Sequence, residues 1–132
     1  MIHLAVLISG RGSNMSYLAD AIRDYNIKAK ITVVISDRWC TGIAIAQDRG
    51  LPTRIIERKS FDTQAKHEAA IAGTIHHHRS KYVFLAGYMA ILSGDFVNQF
   101  AGQIINIHPS LLPALKGLNT HQRAIDENAD MH

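Results

Sequence analysis

An α/β fold, with a mostly parallel, Rossmann-like sheet between two helical layers, is predicted by three features of this 132-residue chain. Short apolar runs alternate with segments of helical periodicity along its length. A glycine-rich turn, Ser9-Gly10-Arg11-Gly12-Ser13-Asn14, joins the first apolar run to the first helical pattern. A polar pair, Asn106 and His108, closes the last apolar run just before Pro109. The alternating rhythm favours parallel strands, because each helical crossover brings the chain back in the same direction.

Strands are expected at 2–8, 31–36, 53–56, 82–86 and 104–107, each a short run rich in Val, Ile, Leu or aromatic residues. Helices fit 14–25, 42–49, 61–79 and 94–100, with a last one near 120–128. The first helix is read from Met15, Leu18, Ala19 and Ile22, which recur on one face. Ser60, Ser93 and Asn119 are suitable N-caps, and Gly50 suits the end of the second helix. Ligands of such sheets bind beyond the carboxyl ends of the strands. The glycine turn, the segment around Gly87 and Asn106-Ile107-His108 all follow predicted strands, so three distant stretches fall on one edge.

Composition fits one globular domain over residues 1–132, with 47% hydrophobic residues, enough for a single core. The single cysteine, Cys40, excludes an intrachain disulfide. No secretory signal and no spanning segment of about 18 apolar residues is present, so a cytoplasmic location without membrane contact is expected. The net charge of +3 suits an anionic small molecule, while the scattered Lys and Arg residues argue against nucleic acid.

The glycine turn leaves backbone N–H groups facing outward at a helix start, where the helix dipole also favours an anion; a phosphate is the natural guest. Gly10, Arg11, Gly12, Ser13 and Asn14 are the candidate phosphate-binding residues. A tight strand–helix turn capped by Ser13 or Asn14 is the bland alternative. Met15 stands where a complete dinucleotide motif has its third glycine, and no G-K-[ST] is present, so a Walker A loop is excluded.

Asn106 and His108 lie two residues apart at a strand end and project from the same face if the chain stays extended. Pro109 then blocks further pairing. An amide donor and an imidazole converging on one atom suit acyl chemistry, with the amide meeting a developing oxyanion and the imidazole donating or moving a proton. A packed strand-end histidine is the plain alternative. Residues 85–92, Leu85-Ala86-Gly87-Tyr88-Met89-Ala90-Ile91-Leu92, read as a strand giving way to a loop that offers apolar surface or ordinary core.

Together, Leu7-Ile8-Ser9-Gly10-Arg11-Gly12-Ser13-Asn14, Leu85-Ala86-Gly87-Tyr88-Met89 with Ile91-Leu92-Ser93, and the stretch from Asn106 to Gln122 with N-I-H-P-S-L-L-P and K-G-L-N-T-H resemble the phosphoribosylglycinamide formyltransferases. The resemblance runs the length of the chain and implies a Rossmann-like sheet of the formyltransferase type. It implies transfer of a formyl group from 10-formyltetrahydrofolate, as co-substrate, to the amine of 5′-phosphoribosylglycinamide in purine biosynthesis, with no metal. By the same resemblance, Asn106 and protonated His108 stabilise the tetrahedral oxyanion, and Gly87 and Pro109 contact substrate. Gln64, Leu85, Tyr88, Met89, Ala90, Ile91, Leu92 and Asn106 correspond to folate-contacting positions. Two of these depart from the family: Ala90 stands where arginine is common and Gln64 where a basic residue is common, which weakens contacts to the folate tail.

The resemblance also implies a catalytic aspartate in a segment that opens with His-Gly, and the chain stops at His132. The expectation is a domain incomplete at its C-terminus, inactive or nearly so as written. Two rivals share the features: a 10-formyltetrahydrofolate hydrolase, and an inactive phosphate-binding fragment. The remaining conspicuous residues take plain readings. His76-His77-His78 project about 100° apart on a helix and suit a solvated helix end rather than a metal site. Cys40 reads as structural, Asp37 as a strand end, and His121 as a residue that orients a ligand or its loop.

Overall fold

The computed structural model describes residues 1–107. Its elements are β1 (Ile2–Ile8), α1 (Ser13–Asp24), β2 (Ala29–Ser36), α2 (Thr41–Asp48), β3 (Thr53–Ile55), α3 (Gln64–His77), β4 (Tyr82–Leu85), α4 (Gly94–Gln99) and β5 (Ile104–Asn106). The strands form one sheet in the order β3-β2-β1-β4-β5, and every neighbouring pair is parallel. The chain winds outward from β1 to β3, then crosses back to place β4 on the other side of β1. That reversal makes the β1/β4 boundary the switch point, where a crevice opens beyond the carboxyl ends.

β1 is the central strand, buried on both faces, which explains its unbroken apolar run. Leu4, Val6 and Ile8 pack against Met15 and Leu18 of α1 and Ile43 and Ala46 of α2. Ala5 and Leu7 pack on the opposite face against Ile71, Ala72 and Ile75 of α3 and Phe96 of α4. The described residues therefore form helix, sheet and helix layers, as the sequence predicts.

Differences from expectation have local causes. β2 begins two residues early because Ala29 and Lys30 pair with Ile2 and His3. The register then slips between Leu4 and Ala5, where Thr32 is the extra residue and its hydroxyl donates to the Leu4 carbonyl. The helix expected from residue 61 starts at Gln64. Ser60 ends a 3-10 turn (Arg58–Ser60), Phe61 packs into the core, and the Thr63 hydroxyl accepts the Lys66 N–H at 3.1 Å, so Thr63 is the cap. Ser93 caps α4 as expected, accepting the Phe96 N–H at 3.2 Å. The expected helix at 120–128 and its cap Asn119 lie outside the described residues.

Candidate functional site

Carboxyl ends of the parallel strands share one edge of the sheet, and that edge gathers the candidate residues. Leu7, Leu85 and Asn106 lie in one row across β1, β4 and β5. Leu7 and Asn106 are two strand spacings, about 10 Å, apart, and the glycine turn starts two residues beyond Leu7. Asn106 is half-buried. Beside it Leu85, Val97, Phe100 and Ile104 help line a cavity of about 400 Å³. His108, Pro109 and His121 lie outside the described residues.

Turn 9–14 is shaped by a close glycine contact. Gly12 has φ 75°, a left-handed conformation, and is itself the N-cap of α1. Ser13 and Asn14 instead lie within the first turn, and among the described residues no side chain caps this helix start. A Cβ on Gly12 would stand 2.7 Å from the Cα of Gly42 at the start of α2. The Gly42 N–H in turn donates to the Gly10 carbonyl at 3.0 Å. Gly10 faces open space and Arg11 is exposed. The turn thus keeps outward-facing backbone at a helix start, held from behind by α2.

Ser9, buried at the end of β1, ties the turn to its neighbours. Its hydroxyl oxygen accepts the Met89 N–H at 2.8 Å. It also lies close enough to the Asp37 carboxylate to help lower that group's pKa. Asp37, with its side chain 7% exposed, is paired with Arg38 at 2.9 Å. Burial pushes the Asp37 carboxyl up, but hydrogen bonds from Arg38 and Ser9 and the Arg38 charge outweigh it and hold the group below its ordinary range.

Segment 85–92 divides by face. Leu85, Tyr88 and Leu92 pack inward against the α3 and α4 core, whereas Met89 and Ile91 are 73% and 86% exposed. Ala90 is half-buried. Gly87 has φ 83° and open space where a Cβ would lie, so its conformation rather than crowding calls for glycine. Gln64 is committed within the protein: its amide donates to the Ile91 carbonyl at 2.9 Å. Glu68, buried beneath, accepts the Ser93 N–H at 2.7 Å and the Ser93 hydroxyl at 2.5 Å. The Tyr88 hydroxyl is buried with no hydrogen-bond partner among the described residues. Burial, with the Asp37 and Glu68 charges, pushes this phenol up to about 12.

The Ser9–Asp37–Met89 connection and the Gly12–Gly42 contact were not legible in sequence; only Ser9's place at the end of an apolar run hinted at the first. The plain readings of other residues have structural counterparts. His76 stacks on Phe100 at 5.4 Å near the end of α3, and Cys40 sits at the start of α2, 3.5 Å from the Ser36 hydroxyl. Among the described residues no helix is long and apolar enough to cross a membrane.

The parallel sheet thus carries a glycine turn at its switch point and an amide two strands away on the same edge, a layout of the α/β class. A family model described as formyl transferase matches residues 2–132, and the chain belongs to that family. Within it, the chain is 41% identical over 133 residues to a phosphoribosylglycinamide formyltransferase of Haemophilus influenzae, covering 100% of this chain and 63% of that protein. It is 43% identical over 124 residues to the trifunctional purine biosynthetic protein adenosine-3 of Homo sapiens, covering 93% of this chain and 12% of that one. The crystal structure of phosphoribosylglycinamide formyltransferase from Brucella melitensis superposes with a TM-score of 0.78 at 42% identity, over 96% of this chain and 66% of that chain. A formyltetrahydrofolate deformylase from Burkholderia mallei superposes with a TM-score of 0.73 at 25% identity, over 81% and 37%. The chain thus spans less than two thirds of the length of the two sequence relatives.

Proposed function

We propose that this chain forms the substrate-binding part of a phosphoribosylglycinamide formyltransferase, a cytoplasmic enzyme of purine biosynthesis acting on small molecules. Transfer runs from 10-formyltetrahydrofolate to the amine of 5′-phosphoribosylglycinamide. The observation that carries this reading is the common edge: the uncapped glycine turn and Asn106 lie two strands apart at the switch point. Gly10, Arg11, Gly12, Ser13 and Asn14 hold the phosphate through backbone N–H groups and the α1 dipole. Met89 and Ile91, the exposed members of 85–92, offer the apolar wall for a flat pterin.

In the reaction the substrate amine attacks the formyl carbon and its oxygen gains negative charge. The Asn106 amide N–H donates to that oxygen, and the imidazolium of His108 is assigned the second donation by the family resemblance. Collapse breaks the bond from the formyl carbon to the folate N10, which takes a proton, while the new formamide loses one.

A hydrolase is the second reading, favoured by the likeness to the formyltetrahydrofolate deformylase. The two are separated by incubating the full-length protein with 10-formyltetrahydrofolate, with and without phosphoribosylglycinamide. Formylated ribonucleotide, formed only when both are present, supports the transferase. Formate released without the ribonucleotide replaces it with the hydrolase, and no product leaves an inactive binding module.

A further inference from the structure

We propose that Ser9 is a positioning residue that sets the height of the 88–92 wall over the crevice; this rests on the formyltransferase reading, which makes that wall the pterin surface. Three strand ends meet at its hydroxyl. Ser9 directly follows Ile8, which is in register with Ser36, so Ser9 and Asp37 emerge side by side from β1 and β2. On the other flank Met89 lies beyond the end of β4, which pairs with β1. A serine hydroxyl has one hydrogen and two lone pairs. The Met89 N–H takes a lone pair at 2.8 Å, which leaves the hydrogen free to turn towards the neighbouring Asp37 carboxylate. Arg38 orients that carboxylate through two contacts, 3.2 Å and 2.9 Å.

The arrangement joins the residue before the phosphate turn to the backbone of the opposite wall. Met89 contributes its N–H to this bond while its side chain remains out in solvent. At the far end of the wall Gln64 grips the Ile91 carbonyl from α3, so the two exposed apolar residues are carried on backbone held at both ends. A hydroxyl 5% exposed at a switch point and bonded to the Met89 N–H fixes the backbone of the wall rather than touching ligand.

The test uses the full-length protein and Ser9→Ala, which removes one oxygen and adds no volume. Titration calorimetry is run separately with 10-formyltetrahydrofolate and with phosphoribosylglycinamide, and amide exchange is followed at Met89. The expected result is folate affinity weakened about tenfold, ribonucleotide affinity changed less than about twofold, and faster Met89 exchange. An unchanged folate affinity, unchanged Met89 exchange, or equal weakening of both ligands overturns the proposal while leaving the formyltransferase reading intact. A wild-type protein that binds the ribonucleotide and no folate overturns both.

Discussion

Gly12 and Gly42 lie back to back, with a Cβ on the first falling 2.7 Å from the Cα of the second. Because φ at Gly12 is also 75°, any side chain there meets both a steric and a conformational penalty. Gly12→Ala is expected to lower stability by at least about 2 kcal/mol, measured by urea unfolding. It is therefore a poor probe of the turn's ligand. Gly10, whose Cβ would meet no atom within 4 Å, separates the questions. Gly10→Val should leave the unfolding midpoint nearly unchanged and raise KM for the ribonucleotide; an unchanged KM makes the turn a connection only.

Tyr88→Phe tests the orphaned hydroxyl. A buried hydroxyl without a partner costs about 1–3 kcal/mol, so its removal is expected to leave stability equal or higher. A loss above about 1 kcal/mol would reveal a partner. The pH dependence gives a second readout. The folded phenol is raised to about 12 from an ordinary 10.0, so the unfolded chain loses the proton first and stability falls as pH rises from 10 towards 12. Tyr88→Phe should flatten that alkaline decline.

Much of the fold follows from pattern, because periodicity and turn chemistry act locally. β1 reads clearly because it is buried on both faces, and the Ser93 cap of α4 because a serine directly before a helix start accepts an N–H of its first turn. What escaped were relations between distant residues. Ser9 and Met89 are 80 positions apart and meet only because the sheet reverses its order at β1, and Gly42 matters only through its contact with Gly12. Thr63 displaced Ser60 as the α3 cap because Phe61 had to turn into the core, a demand of packing that local propensity does not express. At the candidate site, the placement of the glycine turn and Asn106 on one strand-end edge was legible, whereas the inward direction of Tyr88 and Leu92 depended on which face α3 covers.

Asp37 makes acid stability a test of the same edge. Its folded carboxyl is held below the ordinary carboxylate range, so the unfolded chain takes up a proton first as pH falls. The contribution is complete above the unfolded pKa and is lost as pH falls through the lower folded value. Asp37→Asn should reduce the steepness of acid unfolding in that window, followed by circular dichroism. Equal slopes for the two proteins would contradict the assigned pairing with Arg38 and Ser9.

Glu68 joins α3 to α4 through Ser93. Glu68 is 7% exposed, and its carboxylate accepts both the backbone N–H and the hydroxyl of Ser93. Glu68→Ala strands both donors and should destabilise the protein by about 1–3 kcal/mol in chemical unfolding. No change would mean that water replaces the carboxylate without cost.

In the proposed reaction Asn106 meets the charge that develops on the transferred formyl group. Steady-state transfer from 10-formyltetrahydrofolate to phosphoribosylglycinamide by full-length Asn106→Ala measures this directly. The expected result is a kcat lower by about 100- to 1000-fold with an unchanged unfolding midpoint. A variant that turns over at the wild-type rate would contradict it.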